Sequence, residues 1–258
     1  MKNRIFNISA ACFSLSLLFV PYKQADSSSD KSLSAITTVN NPSISNHSPA
    51  HELTETLSEA SGVSAIYDSI KLAKSGLKKE VFEYAVKGYL ALSEENKINR
   101  TGIITICDFS QSSRRKRMYV VDIANYKLLM QTHVAHGRNS GKEYATRFSN
   151  KPESLQSSLG FYVTRSTYYG GHGLALTIDG MEPGINDKAR ARKIVVHGSI
   201  YVGNDYLRFS KHVGRSFGCP AVPAKQSRKI INTIKNGTCF FIYHPTKKYI
   251  ETSKILNG

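Results

Sequence analysis

The residues best equipped for covalent chemistry lie close together in this chain. Ile194-Val195-Val196-His197-Gly198 is an apolar run that ends in a histidine. After a spacer comes Ser216-Phe217-Gly218-Cys219-Pro220-Ala221-Val222. A thiol attacks as its thiolate, so a nucleophilic cysteine needs a base beside it. Attack on a carbonyl also needs N–H groups aimed at the developing oxyanion. His197 is the candidate base and Cys219 the candidate nucleophile. Gly218 allows a sharp backbone turn, which can point N–H groups near Cys219 into a site. By themselves, one histidine and one cysteine at this separation also describe a buried structural thiol. The residues alone leave both readings open.

Other side chains compete for a role. His133 and His136 have the look of a metal pair, but residues three apart on a strand face opposite sides. No metal and no cofactor is expected. His136-Gly137 closes an apolar run, so His136 is a candidate for facing a substrate cleft. Tyr168-Tyr169-Gly170-Gly171-His172-Gly173 is a Gly-rich aromatic loop. His172 either lines a substrate groove or belongs to a plain turn. Arg114-Arg115-Lys116-Arg117 is either a solvated hairpin tip or a contact for an anionic wall or lipid. Cys107 and Cys239 both fall in expected strands, and an oxidising envelope permits a disulfide. The sequence leaves that pairing open.

These residues need a frame. The chain has 258 residues, 40% of them hydrophobic, with fourteen Tyr and eleven Phe to fill a core in place of absent Trp. The net charge of +16 favours anionic surroundings: nucleic acid, acidic lipid or an anionic wall polymer. Lys2 and Arg4 precede an apolar run from Ile5 to Val20 that Pro21 ends. Spanning a bilayer takes roughly 20 apolar residues. This run is shorter and interrupted by Asn7, Ser9, Ser14 and Ser16, so residues 1–25 read as a signal peptide, with a retained membrane anchor as the alternative. Cys12 lies inside it. Export to the periplasm or cell envelope argues against nucleic acid as a partner. Residues 26–50 are rich in Ser, Asn, Thr and Pro and read as a flexible linker.

Residues 51–100 carry two helical patterns, Val63-Ile66-Tyr67-Ile70-Ala73 and Val81-Phe82-Ala85-Tyr89-Leu92, separated at Gly76. They predict a helical pair packed on the body. Residues 101–250 turn to strand texture, with short apolar runs at 103–107, 118–123, 127–136, 158–164, 173–178, 194–197 and 238–243. Ala124-Asn125-Tyr126 reads as a hairpin turn. A late helix is expected over 224–235, opened by Pro223 and ended by Asn236-Gly237. Residues 251–258 read as a tail. The fold class is mainly β with accessory helices, since strand and helix do not alternate as in a doubly wound sheet.

The His197 and Cys219 segments resemble the active-site signature of the YkuD-like L,D-transpeptidases: His-Gly, a spacer, then Ser/Thr-x-Gly-Cys. The chain is similar, more closely, to the murein L,D-transpeptidase catalytic domain branch. Met118-Tyr119-Val120-Val121-Asp122, Thr132-His133-Val134-Ala135-His136-Gly137, Ser157-Ser158-Leu159-Gly160-Phe161-Tyr162 and Gly180-Met181-Glu182-Pro183-Gly184-Ile185-Asn186-Asp187 carry this likeness, over about Gly102 to Tyr243. The resemblance implies a β-sandwich or barrel and a cysteine enzyme acting on the tetrapeptide stems of peptidoglycan through a thioacyl intermediate. It implies Cys219 as nucleophile and His197 as base, oriented by the Gly198 carbonyl. It further implies Ser216 shaping the site and Gly218 with Cys219 supplying oxyanion N–H groups. Water as acceptor would make a carboxypeptidase, and an envelope protein's lysine would make an anchoring enzyme. Two departures stand out: Phe217 replaces a second histidine, and Pro220-Ala221-Val222 replaces an apolar-Arg/Asn sequence. They motivate a third reading, a non-catalytic wall-binding protein. Arg215 is a candidate replacement contact for a stem carboxylate, because Arg pairs with carboxylates in a bidentate way, or else a solvated charge.

Overall fold

The computed structural model describes residues 49–258, within one compact unit, Asn46–Gly258. The expected leader at 1–25, Cys12 and nearly all of the expected linker at 26–50 lie outside the described residues. Among the described residues, no helix is long and apolar enough to cross a membrane.

Three helices come first: α1 (Pro49–Ser58), α2 (Ala60–Ile70) and α3 (Lys79–Glu94). Val63, Ile66 and Tyr67 make the buried stripe of α2, and Val81, Phe82, Ala85, Tyr89 and Leu92 that of α3. This is the 3.6-residue spacing turned into one apolar face per helix. Gly76, between α2 and α3, takes φ +84°, the left-handed region that favours glycine. The α3 backbone comes close to the sheet at Gly88, where an added Cβ would lie 2.1 Å from the Phe161 ring.

The strands are β1 (Ile103–Asp108), β2 (Met118–Asp122), β3 (Lys127–Thr132), β4 (Gly160–Gly170), β5 (Gly173–Gly180), β6 (Val195–Ser199), β7 (Ala221–Pro223) and β8 (Cys239–Tyr243). They form one sheet in the order β3-β2-β1-β8-β4-β5-β6-β7. Every residue of β1 and β8 is buried, which is why these strands read as unbroken apolar runs rather than alternating ones. Phe161 of β4 and Phe241 of β8 stack with centroids 4.1 Å apart.

The run expected as one strand over 127–136 divides in two. β3 ends at Thr132, and the chain then crosses to the far edge of the sheet. There Ala135 bridges Ala221 of β7, with its N–H donating to the Ala221 carbonyl at 2.9 Å, and Gly137 bridges Ser216. Edge strands carry unpaired N–H and C=O groups, and this crossing engages the Ala221 carbonyl of β7. The result is a nearly closed barrel with a few helices outside it, a mainly β fold built from one sheet rather than two stacked ones.

Cys107 and Cys239 are both free. Register sets Cys239 beside Ile104 and Cys107 beside Ile242. The thiols are thus displaced by three residues, about 10 Å along the strands, outside the roughly 4.4–6.8 Å Cα separation of a disulfide. Burial pushes both thiols far up in pKa.

Between β6 and β7 lies the short α4 (Asn204–Leu207), and α5 (Ala224–Ile234) follows β7. Residues after β8 form α6 (Lys247–Thr252) and α7 (Lys254–Asn257). Residues 254–257, read as part of a tail, are therefore helical, and Leu256 is buried. The buried Glu182 carboxylate anchors this end: Phe161 N–H donates to it at 2.7 Å, Tyr249 O–H at 3.3 Å, and the Ser253 hydroxyl closely.

Candidate active site

His197 sits in the middle of β6. Its Nδ1 lies 3.0 Å from the Gly198 carbonyl. A carbonyl only accepts, so Nδ1 carries the proton and Nε2 keeps the lone pair. Strand alternation puts Val195, His197 and Ser199 on one face, with Val196 in the core on the other. Burial pushes the His197 pKa down, the Gly198 carbonyl pulls it back up, and His172 lowers it further. The ring is poised as a neutral imidazole.

β6 and β7 run parallel with His197 opposite Ala221. Cys219, two residues earlier, therefore stands beside Val195. The Val195 N–H approaches its sulfur at 3.5 Å, and the thiol points to the Lys193 carbonyl at 3.7 Å. Thiol and imidazole thus belong to adjoining segments, offset by two residues or about 6.6 Å along the strand. Among the described residues no hydrogen bond joins them. Burial raises the Cys219 pKa, against the pull of the Val195 N–H and the Arg192 charge. The resting thiol is therefore protonated.

The cysteine turn depends on its glycine and serines. Gly218 takes φ +124°, and a Cβ there would lie 2.8 Å from the Gln156 carbonyl oxygen. Ser216 Oγ donates to the Cys219 carbonyl at 2.6 Å and accepts from the Gly218 N–H at 3.1 Å. Ser216 thus ties the turn together from both sides. The Gly218 N–H, expected to face an oxyanion, is engaged inside the turn instead. Ser157 Oγ donates to the Gly218 carbonyl at 3.1 Å, and Ser140 Oγ accepts the Ser157 N–H at 2.9 Å.

The structure brings His172 to the site: its ring stacks on His197 with centroids 4.6 Å apart and planes 22° from parallel. Arg215 is exposed at the rim, where one guanidinium nitrogen donates to the carbonyls of Arg138 and Gly141 at 3.1 and 3.2 Å. His136 is not at the surface. It is 1% exposed, and its Nδ1 accepts from the buried Arg117 guanidinium at 2.7 Å. Arg117 is donor-only. Burial and that neighbouring charge push the His136 pKa down to about 3, so the ring is neutral and its side chain cannot reach a substrate from this position. Its backbone matters more: the His136 carbonyl accepts from the Ser216 N–H at 3.0 Å. His133 bonds Asn204 through Nε2 at 2.9 Å, so the two histidines have separate partners. The basic run splits too. Arg117 is fully buried, while Arg114 reaches the Ser210 and Lys211 carbonyls.

Two neighbours of the thiol escaped sequence reasoning. Arg192 donates to the carbonyls of Ser149 and Gln156 and to the hydroxyls of Ser154 and Ser158, with a guanidinium nitrogen 3.3 Å from where a Gly218 Cβ would be. None of these acceptors is a carboxylate, so its charge remains available to the thiol. In the sequence it is one of several cations in Ala189-Arg190-Ala191-Arg192-Lys193, with nothing to single it out. Tyr201 has its pKa raised by burial and in part by the Cys219 charge. Only its closeness to His197 in the chain signals it.

The L,D-transpeptidase catalytic domain family matches residues 73–243. This chain belongs to that family. The matched span takes in α3 as well as the barrel and both halves of the His197–Cys219 site. Solved structures similar to the chain include an L,D-transpeptidase from Mycobacterium smegmatis, at 11% identity, with a TM-score of 0.33 over 55% of this chain and 59% of that one. Another is the helical cell shape determining protein Pgp2 of Campylobacter jejuni, at 16% identity and a TM-score of 0.36 over 57% and 49%. A third is an L,D-transpeptidase from Mycobacterium tuberculosis H37Rv, at 13% identity and a TM-score of 0.33 over 55% and 58%. The matches thus span less than two thirds of these structures' own length. No curated protein matches the chain.

Proposed function

We propose that this chain is an envelope L,D-transpeptidase that uses Cys219 as nucleophile and His197 as base on the tetrapeptide stems of peptidoglycan. The observation that carries the reading is that Cys219 and His197 stand on adjoining segments two register positions apart, in a chain of this family. His197 Nε2 takes the thiol proton, which a neutral imidazole beside a protonated thiol is suited to do. The two are not hydrogen-bonded at rest, and catalytic hydrogen bonds commonly tighten only when substrate binds. The thiolate attacks the carbonyl between the third and fourth stem residues. A C–S bond forms and the C–N bond breaks. The terminal D-alanine leaves as an amine, protonated by His197. An amine of a second stem then attacks the thioester, its proton passes through His197, and the thiol is restored. Water or a protein lysine in place of that amine would make a carboxypeptidase or an anchoring enzyme. Arg215 has donors to spare beyond its two loop carbonyls and is our candidate to hold a stem carboxylate.

A second reading, a wall-binding protein that keeps the fold without the chemistry, draws on the raised thiol pKa and the occupied Gly218 N–H. Intact-protein mass spectrometry after incubation with tetrapeptide muropeptides separates the two. A thioacyl adduct on Cys219 with release of D-alanine is expected, and Cys219→Ala abolishes both. Wall binding that survives Cys219→Ala, with no adduct on the wild type, would establish the second reading.

A further inference from the structure

We propose that His172 is a positioning residue, which holds the His197 imidazole in its working orientation by stacking on it. The proposal rests on His197 being the base, and its footing is the geometry of one hairpin. β4 and β5 pair as far as Gly170 opposite Gly173, so the tip is Gly171-His172 alone. Gly173 takes φ +76°, and nothing lies within 4 Å of where a Cβ on Gly171 or Gly173 would be. This tip overhangs open space. Ala175, three residues on, is the register partner of His197. The exposed His172 ring stacks over the ring of His197, a residue that is 4% exposed.

The two restraints on His197 complement each other. The Gly198 carbonyl fixes the tautomer and the in-plane rotation. A single hydrogen bond leaves the ring free to tip out of its plane, and a ring lying on its face blocks that motion. The stacking also bears on charge. When His197 takes a proton, a neutral His172 offers a π face to the imidazolium, whereas a charged His172 opposes it. Other charges around His197 lie elsewhere. Its strand partners Ala175 and Ala221 are apolar. α5 presents Ser227 to Gly198; among its charges, Lys225 pairs with Asp205, and Arg228 and Lys229 are exposed. Cys219 and Arg192 lie toward the Val195 end of β6.

His172→Ala and His172→Phe in the full chain test this. Two readouts suffice: the rate of Cys219 alkylation by iodoacetamide against pH, and the NMR titration of the His197 imidazole. Removing the ring in His172→Ala is expected to slow plateau alkylation by about tenfold, a small part of the 10²–10⁴ that a placed base contributes. Restoring a ring without charge in His172→Phe is expected to bring the plateau back. It should also raise the His197 pKa and move the acid limb of alkylation up in pH, since the repelling charge is gone. An unchanged plateau in His172→Ala, or equal loss in both variants, would overturn the proposal. Should the wild-type thiol not alkylate, the assignment of Cys219 fails, and the titration still judges the stack: an unmoved His197 pKa in His172→Phe rejects it and an upward move supports it.

Discussion

At Cys219, opposing influences meet on one sulfur. Burial favours the neutral thiol, while the Val195 N–H and the Arg192 charge favour the thiolate. Removing the cation therefore moves the thiol further up. Arg192→Met is expected to raise the Cys219 pKa further and so slow alkylation near neutral pH, by up to about tenfold. Arg192→Lys, which keeps the charge, is expected to lose less. The pH profile of iodoacetamide alkylation measures both, and an unshifted profile in Arg192→Met would show that the charge does not reach the sulfur. Arg192 also ties down the 149–158 loop, so thermal melting separates lost stability from lost electrostatics. The sequence marked Cys219, His197, Ser216 and Gly218 because a histidine after an apolar run and a cysteine after a glycine turn are local patterns. Arg192 and the burial of His136 stayed hidden because both depend on what distant segments bring alongside.

α3 and β4 show how elements carry the site. Phe161 lies between the α3 backbone at Gly88 and the Phe241 ring. It is fully buried, so it has no room to retreat from an added methyl. Gly88→Ala is expected to destabilise the fold by about 1–3 kcal/mol, the usual range for overpacking, despite alanine's better helix propensity. Urea denaturation measures this; a neutral or stabilising result would mean that α3 can shift outward from the sheet. The helical stripes of α2 and α3 and the apolar runs of β1 and β8 were legible in sequence because each repeats a simple period. The end of β3 at Thr132 was not. Residues 133–136 remain strand-like in composition, and only pairing with Ala221 and Ser216 draws them to another edge.

Across the whole molecule, Glu182 links the β4 strand to the C-terminal helices. Burial raises its pKa above the ordinary 4.5, against the hydrogen bonds from Ser253, Phe161 and Tyr249. Between 4.5 and the higher folded value the native state holds a proton that the unfolded chain has released. Stability from this group therefore falls as pH rises through that window. Glu182→Gln is expected to flatten this fall. Urea midpoints measured from pH 4 upward in both proteins isolate the effect, and parallel curves would mean that Glu182 titrates normally. The sign is opposite to that of an ion-paired carboxylate such as Asp179, whose pKa the Arg190 and Arg165 partners lower.

The sequence by itself determined the local chemistry: a histidine at the end of an apolar run, a cysteine after a turn that only glycine can make, and helices and strands at their own periods. It also carried the family likeness. Tertiary structure alone decided the sheet order, the closure through Ala135 and Ala221, the separation of Cys107 from Cys239, and the withdrawal of His136 into the core. It also decided that His172, read as either turn or groove, lies on the face of His197. The reason is physical. Periodicity and turn chemistry act over a few residues, whereas register, burial and ring stacking depend on segments that meet only when the barrel closes.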